Sequence, residues 1–137
     1  MEERNESLEQ QIARQHRQLD TLFEETLVAM RKDRDPEKAL DAFEHLHEAL
    51  ETHFSQEDHL YYPPIWALRP QQKLPLLDFI ENHEHFRGLL MEISTQMEGR
   101  SLEVAARRLD EFVAEFSAHE LEEEALLRSV DRELSSR

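Results

Sequence analysis

The chain has 137 residues, enough for one domain with a sizeable core. Its 31 acidic residues against 16 basic ones give a formal charge of −15, which argues against phosphate backbones and anionic membranes as partners and suits a protein that attracts cations. There is no cysteine, which excludes disulfides, thiolate zinc sites and a cysteine nucleophile, and a hydrophobic fraction of 39% is too high for a disordered acidic chain.

Only two glycines and five prolines punctuate the sequence, so long helices are expected. The opening MEERNESLEQ lacks the basic and apolar regions of a signal peptide, and no apolar run approaches ~20 residues. A soluble, cytoplasmic protein is the expectation. The first helix runs roughly from Ser7 to Lys32, with Leu8, Ile12, Leu19, Leu22, Phe23, Leu27 and Met30 at helical spacing. Asp35 then caps a second helix opened by Pro36, which continues through Leu40, Phe43, Leu46, Leu50, Phe54 and Tyr61 until Pro63 and Pro64 stop it. The stretch PPIWALRPQQKLP reads as a connector with room for a helical turn, Ile65 and Trp66 covering one end. A third helix starts at Pro75 and carries Leu76, Phe79, Phe86, Leu90, Ile93 and Met97. Gly99 ends it, and Ser101 caps a fourth helix bearing Leu109, Phe112, Phe116, Leu126, Leu127 and Val130. The fold class is therefore all-α, an antiparallel up-down-up-down four-helix bundle, in one domain over residues 1–137.

Rotating each residue by ~100° sorts the eight histidines. His16, His53, His83 and His119 fall on the apolar stripes, one per helix, and so do Glu57 and Glu123. His45, His59 and His85 point outward, while His47 lies at the margin of the buried face. Two unpaired carboxylates in a core are costly unless they are neutralised, paired or coordinated, and the basic residues Arg87, Arg107 and Arg128 sit off the stripes. A metal would resolve the conflict; a buried polar cluster without metal is the plainer reading.

Depth along the helices favours the metal. At ~1.5 Å per residue, the distances of the four histidines from their helix ends agree within ~3 Å, so antiparallel packing brings them to one level. The chain also repeats itself. QHRQLDTLF (15–23) and NHEHFRGLL (82–90) share a histidine followed by apolar residues at +3, +6 and +7. LETHFSQED (50–58) and FSAHELEEE (116–124) share Glu at +4 and an acid at +5 after the histidine. Two helical hairpins, each contributing H…HxxxE, make a pseudo-twofold cage suited to two metals bridged by two carboxylates.

On these residues the chain resembles the hemerythrin-like family, the HHE cation-binding domains. The resemblance rests on His16, His53-x-x-x-Glu57-Asp58 with Pro63 ten residues after the histidine, His83, and His119-x-x-x-Glu123-Glu124, and it covers essentially the whole chain. It implies a non-haem di-iron centre, two iron ions held by histidines and bridging carboxylates, with zinc or manganese able to occupy the same donors. Oxygen-carrying members have a second histidine one turn on in the third helix, where this chain has Arg87, and an aspartate five residues after the last histidine, where it has Glu123 four after. The more anionic donor set favours ferric iron, and with it redox chemistry or sensing over reversible oxygen carriage.

The expected function is a di-iron protein that interacts with O2, peroxide or nitric oxide, or senses iron or oxygen status, through a His4Glu2 centre. Its enzymatic form is an oxidoreductase directed at peroxide or nitric oxide. The alternative is a regulatory or protein-interaction bundle, with or without metal, that has no turnover. The ligand set is His16, His53, Glu57, His83, His119 and Glu123; Tyr61 is either plain core packing or an extra ligand or hydrogen-bonding neighbour, and Asp58 either a solvated rim charge or a group that orients a histidine. The small ligand is the expected partner, with no nucleic acid or membrane, and the chain is expected as a monomer or dimer.

Overall fold

The computed structural model describes residues 7–135, with side chains through 132; part of the N-terminal stretch read above, residues 1–6, lies outside it. Helix α1 (Leu8–Val28) begins at a reciprocal cap. The Ser7 hydroxyl accepts from the Gln10 N–H, and the Gln10 side chain accepts from the Ser7 N–H, both at 3.1 Å. A π-helical turn, Ala29–Asp33, extends α1, and Arg34 ends it in the left-handed region at φ 52°. Asp35 then caps α2 (Pro36–Gln56), accepting from the N–H groups of Glu37 and Lys38.

Beyond α2 the structure departs from expectation. The helix does not stop before Pro63; it widens into a π-turn, Glu57–Tyr61, and runs on as α3 (Tyr62–Leu68). Pro63 and Pro64 sit in the first turn of α3, where N–H groups have no partner within their own helix and a missing donor costs little. The wider π-turn also relieves the clash a proline ring makes with the carbonyl one α-turn back. Ile65 is buried as expected, but Trp66 is 40% exposed, with the Lys73 ammonium 5.5 Å over its ring.

After a 3-10 turn, Pro70–Gln72, helix α4 (Lys73–Glu98) starts two residues before Pro75, which again occupies a first-turn position. Gly99 is the C-terminal cap, as expected, but the left-handed residue of the turn is Arg100, at φ 62°. The Ser101 N–H closes that turn onto Gln96 O at 2.9 Å. Helix α5 (Leu102–Ser135) completes the bundle.

Helix α1 packs on α2 and α5, and α4 packs on the same two, which closes an antiparallel four-helix ring. Two apolar clusters fill it. The larger holds Leu19, Phe23, Leu46, Leu50, Phe54, Phe86, Phe112 and Phe116; the smaller, toward α3, holds Ile12, Tyr62, Ile65, Leu76, Phe79, Leu127 and Val130. Burial worth about 1.5–3 kcal/mol per large side chain carries the bundle across the polar layer between them. No helix among the described residues is long and apolar enough to cross a membrane.

Candidate metal centre

That polar layer contains the six inward-pointing histidines and glutamates. His16, His53, His83 and His119 are at most 5% exposed, and Glu57 and Glu123 are fully buried. Each comes from a different turn of α1, α2, α4 or α5, except Glu57, which opens the π-turn. Glu57 lies between two helices: its Oε2 is 3.2 Å from His53 Nε2, and its Oε1 is 3.0 Å from His83 Nε2. Glu123 Oε1 is 3.1 Å from His16 Nε2. One donor atom each from His16, His53, Glu57 and Glu123 lie within 4.8 Å of one another, and so do donors from Glu57, His83 and His119. The layer thus has two adjoining nests that share Glu57.

Every imidazole is held from behind. The His83 Nδ1 donates to Asp58 at 2.8 Å, and the His16 Nδ1 to Glu124 at 2.6 Å. The His53 Nδ1 donates to the Gln15 side-chain oxygen at 2.9 Å. The Asn82 carboxamide lies 3.2 Å from His119 Nδ1, and a half-turn of that amide presents either its donor or its acceptor. The pattern follows the repeat: Gln15 and Asn82 immediately precede His16 and His83, and Asp58 and Glu124 immediately follow Glu57 and Glu123. Holding Nδ1 in this way fixes the ring and turns Nε2 inward.

The π-turn divides the roles expected of one tyrosine between two. In an α-helix the core-facing residue one turn past Glu57 is Tyr61; the wider turn moves that position to Tyr62. Tyr62 is 2% exposed, and its hydroxyl donates to Glu57 Oε1 at 3.3 Å and more closely to Glu123 Oε2. Tyr61 is half-buried and accepts from the Gln15 side-chain amide at 3.1 Å, behind His53. Sequence reasoning placed the phenol one residue early because helical periodicity carries no sign of a π-turn.

Charge is distributed unevenly in the metal-free layer. Burial lowers His53 and His119 to about 4. Burial also opposes protonation of His16, but Glu123, Glu120 and Glu124 outweigh it and hold the ring at about 9. At His83 the same burial is outweighed by Asp58 and Glu57, which raise it. Burial and the neighbouring Glu123 drive Glu57 well above the ordinary carboxyl range. Burial acts against Glu123 too, but the adjoining Glu57 and His16 depress it.

The outward histidines behave as the helical wheel implies. His45, His59 and His85 are exposed, and His85 pairs with Glu115 at 2.9 Å. His47 is half-buried against the Phe43 ring. Sequence reading missed Glu120, which is 7% exposed with an Oε2 that has no hydrogen-bond partner. Its signal was present: it stands four residues after Phe116 and three before Glu123, on the same stripe. Gln15 and Asn82 were also missed, although each begins one copy of the repeated stretch.

The residues fit a metal. The four Nε2 atoms, Glu57 Oε2 and Glu123 Oε1 are all buried without a properly directed hydrogen bond, although they face one another. Six orphaned donors converging in a core suit coordination, and imidazole with carboxylate suits first-row divalent cations. A helical bundle with such a buried layer is a metal-binding protein by class. The family model described as Hemerythrin HHE cation binding domain matches residues 7–130, and the chain belongs to that family. Comparison with curated proteins and with solved structures gave no match.

Proposed function

We propose that this chain is a non-haem di-iron protein whose centre takes O2, peroxide or nitric oxide, or reports iron or oxygen status. The observation that carries this reading is the convergence of six orphaned buried donors, four imidazole nitrogens and two carboxylate oxygens, in two adjoining nests. Iron bound there supplies Lewis acidity and one-electron redox capacity.

The protein's own residues do the rest. His16, His53 and Glu123 would hold a metal in one nest, His83 and His119 in the other, and Glu57 would offer a carboxylate oxygen to each. Asp58, Glu124 and Gln15 hold their rings in the tautomer that leaves Nε2 free, and Asn82 braces the His119 ring through Nδ1. The Tyr62 hydroxyl restrains both carboxylates from the α3 side. Phe54, stacked on His83 at 4.6 Å, and Phe116, stacked on His119 at 6.2 Å, wall off water. Arg87 occupies the place of the extra histidine of oxygen carriers and is committed to Glu51, Glu84 and Asp58. The acid-rich donor set favours redox chemistry or sensing over reversible carriage.

The test exposes anaerobic ferrous protein to each gas and to peroxide while recording its spectrum. A change in the iron spectrum with at least one of the three supports the reading; no change with any of them refutes it. Counting peroxide consumed per iron then separates an oxidoreductase, with many turnovers, from a sensor that reacts once.

A further inference from the structure

The two hairpins match in their histidines but not in the space behind them. Between α1 and α2 a cleft of about 380 Å³ reaches the outer edge of the His53 ring, lined in part by Gln15, Leu19, Leu22, Ala49 and Thr52. That is room for about a dozen waters at ~30 Å³ each. In the other hairpin the positions of Gln18 and Ala49 are taken by His85 and Glu115, whose side chains meet at 2.9 Å between α4 and α5. Phe86 stands where Leu19 does, its ring 5.4 Å from that of His119, and the Phe79 ring lies 5.2 Å from it. The α4–α5 cleft, about 410 Å³, is lined by Leu89, Glu111 and Glu115 but, among the described residues, by neither Asn82 nor His119.

The four rings are also held with unequal strength. Carboxylates accept from His16 and His83, and such charge-assisted hydrogen bonds are roughly twice as strong as neutral ones. His53 and His119 are held by neutral amides, Gln15 and Asn82. Of the four, His53 alone combines a neutral hold with open space behind it.

We infer that the α1–α2 cleft is the doorway through which the centre exchanges its metal, with His53 the ligand that swings aside and Gln15 its latch. The inference rests on the metal-binding reading above. The Gln15 amide lies between the Tyr61 hydroxyl and His53 Nδ1, so it fixes the closed position from outside the nest. When that contact opens, rotation of the His53 side chain carries the imidazole into the cleft and uncovers the donors of His16, Glu57 and Glu123. Glu48, exposed at the cleft, offers an incoming cation its first carboxylate. A doorway sets how fast metal passes in both directions and leaves the binding equilibrium where it was.

Cobalt(II) tests this without any turnover. Stopped-flow mixing with metal-free protein, followed by visible absorption, gives the uptake rate, and excess chelator gives the release rate. Ala49→Leu and Thr52→Trp narrow the cleft without removing a donor, so each slows uptake and release by the same several-fold factor at unchanged affinity. Ala118→Trp, the match of Thr52 in the other hairpin, leaves both rates unchanged. Gln15→Ala speeds release several-fold. Circular dichroism verifies folding, and either narrowing variant alone decides the point. Uptake unmoved by the narrowing variants, uptake slowed equally by Ala118→Trp, or release unmoved by Gln15→Ala overturns the inference. No cobalt absorption at excess metal overturns the underlying metal-binding reading instead.

Discussion

Asp58 and His83, 25 residues apart, meet between the π-turn and α4 with the His83 Nδ1–H pointing at Asp58 Oδ1, 2.8 Å away. The contact makes the residue after Glu57 a support for an imidazole on another helix. Asp58→Asn keeps an oxygen there but removes the charge. Loss of such support costs about 10–100-fold in metal affinity. Competition with a calibrated chelator measures it, and circular dichroism verifies that the bundle stays helical. An unchanged affinity would make the contact incidental.

Truncating a ligand goes further. His53→Ala or His119→Ala removes one of the inward Nε2 donors, so each variant is expected to lose metal and, with it, thermal stability. His85→Ala, at an exposed position paired with Glu115, should change stability by no more than about 0.5 kcal/mol. Full metal content and unchanged melting in both ligand variants would sink the ligand assignment.

Tyr62 and Tyr61 give a paired comparison. Tyr62→Phe deletes the donor to Glu57 and Glu123 without opening a cavity, leaving two buried carboxylates less restrained; a destabilisation of about 1–3 kcal/mol is expected. Tyr61→Phe loses only the contact from Gln15 and should cost less. Urea denaturation of the metal-loaded variants checks this. The reverse order would mean that α3 enters the bundle without the register shift of the π-turn.

Acidity affects the metal-free and loaded proteins differently. His53 and His119, lowered by burial to about 4, contribute stability above ~6.5 that is lost as pH falls toward 4. His16, raised to about 9 by carboxylates that outweigh its burial, contributes stability below ~6.5 that is lost as pH rises through 9. Glu120, raised by burial to about 8, adds a loss in the same alkaline direction. Metal-free protein should therefore lose stability as pH rises above about 6.5. Metal displaces protons from its ligands, so loading should abolish the alkaline decline. Melting temperatures of both forms across this range decide it; equal alkaline declines would contradict the charge pattern.

Much of this arrangement is legible in the sequence because helical periodicity is strict. Placing His16, His53, His83 and His119 needs only the apolar stripes and the lengths of four helices, and the bundle follows from the same pattern. Features that break the period are not legible. The π-turn at Glu57–Tyr61 inserts a residue without changing composition, so Tyr62 takes the place assigned to Tyr61. Proline reads as a stop at Pro63 and Pro64, yet both occupy a first turn, where the missing donor does no harm. Cross-helix partners such as Gln15 for His53 depend on rotamers and helix rotation, which spacing alone leaves open.

The central claim, that six converging donors hold two metal ions, is tested most directly by elemental analysis of protein purified without chelator and reconstituted with ferrous iron. The account predicts about two irons per chain, falling in His53→Ala and His119→Ala. Protein with neither iron nor zinc, and with no affinity for either on reconstitution, would contradict it.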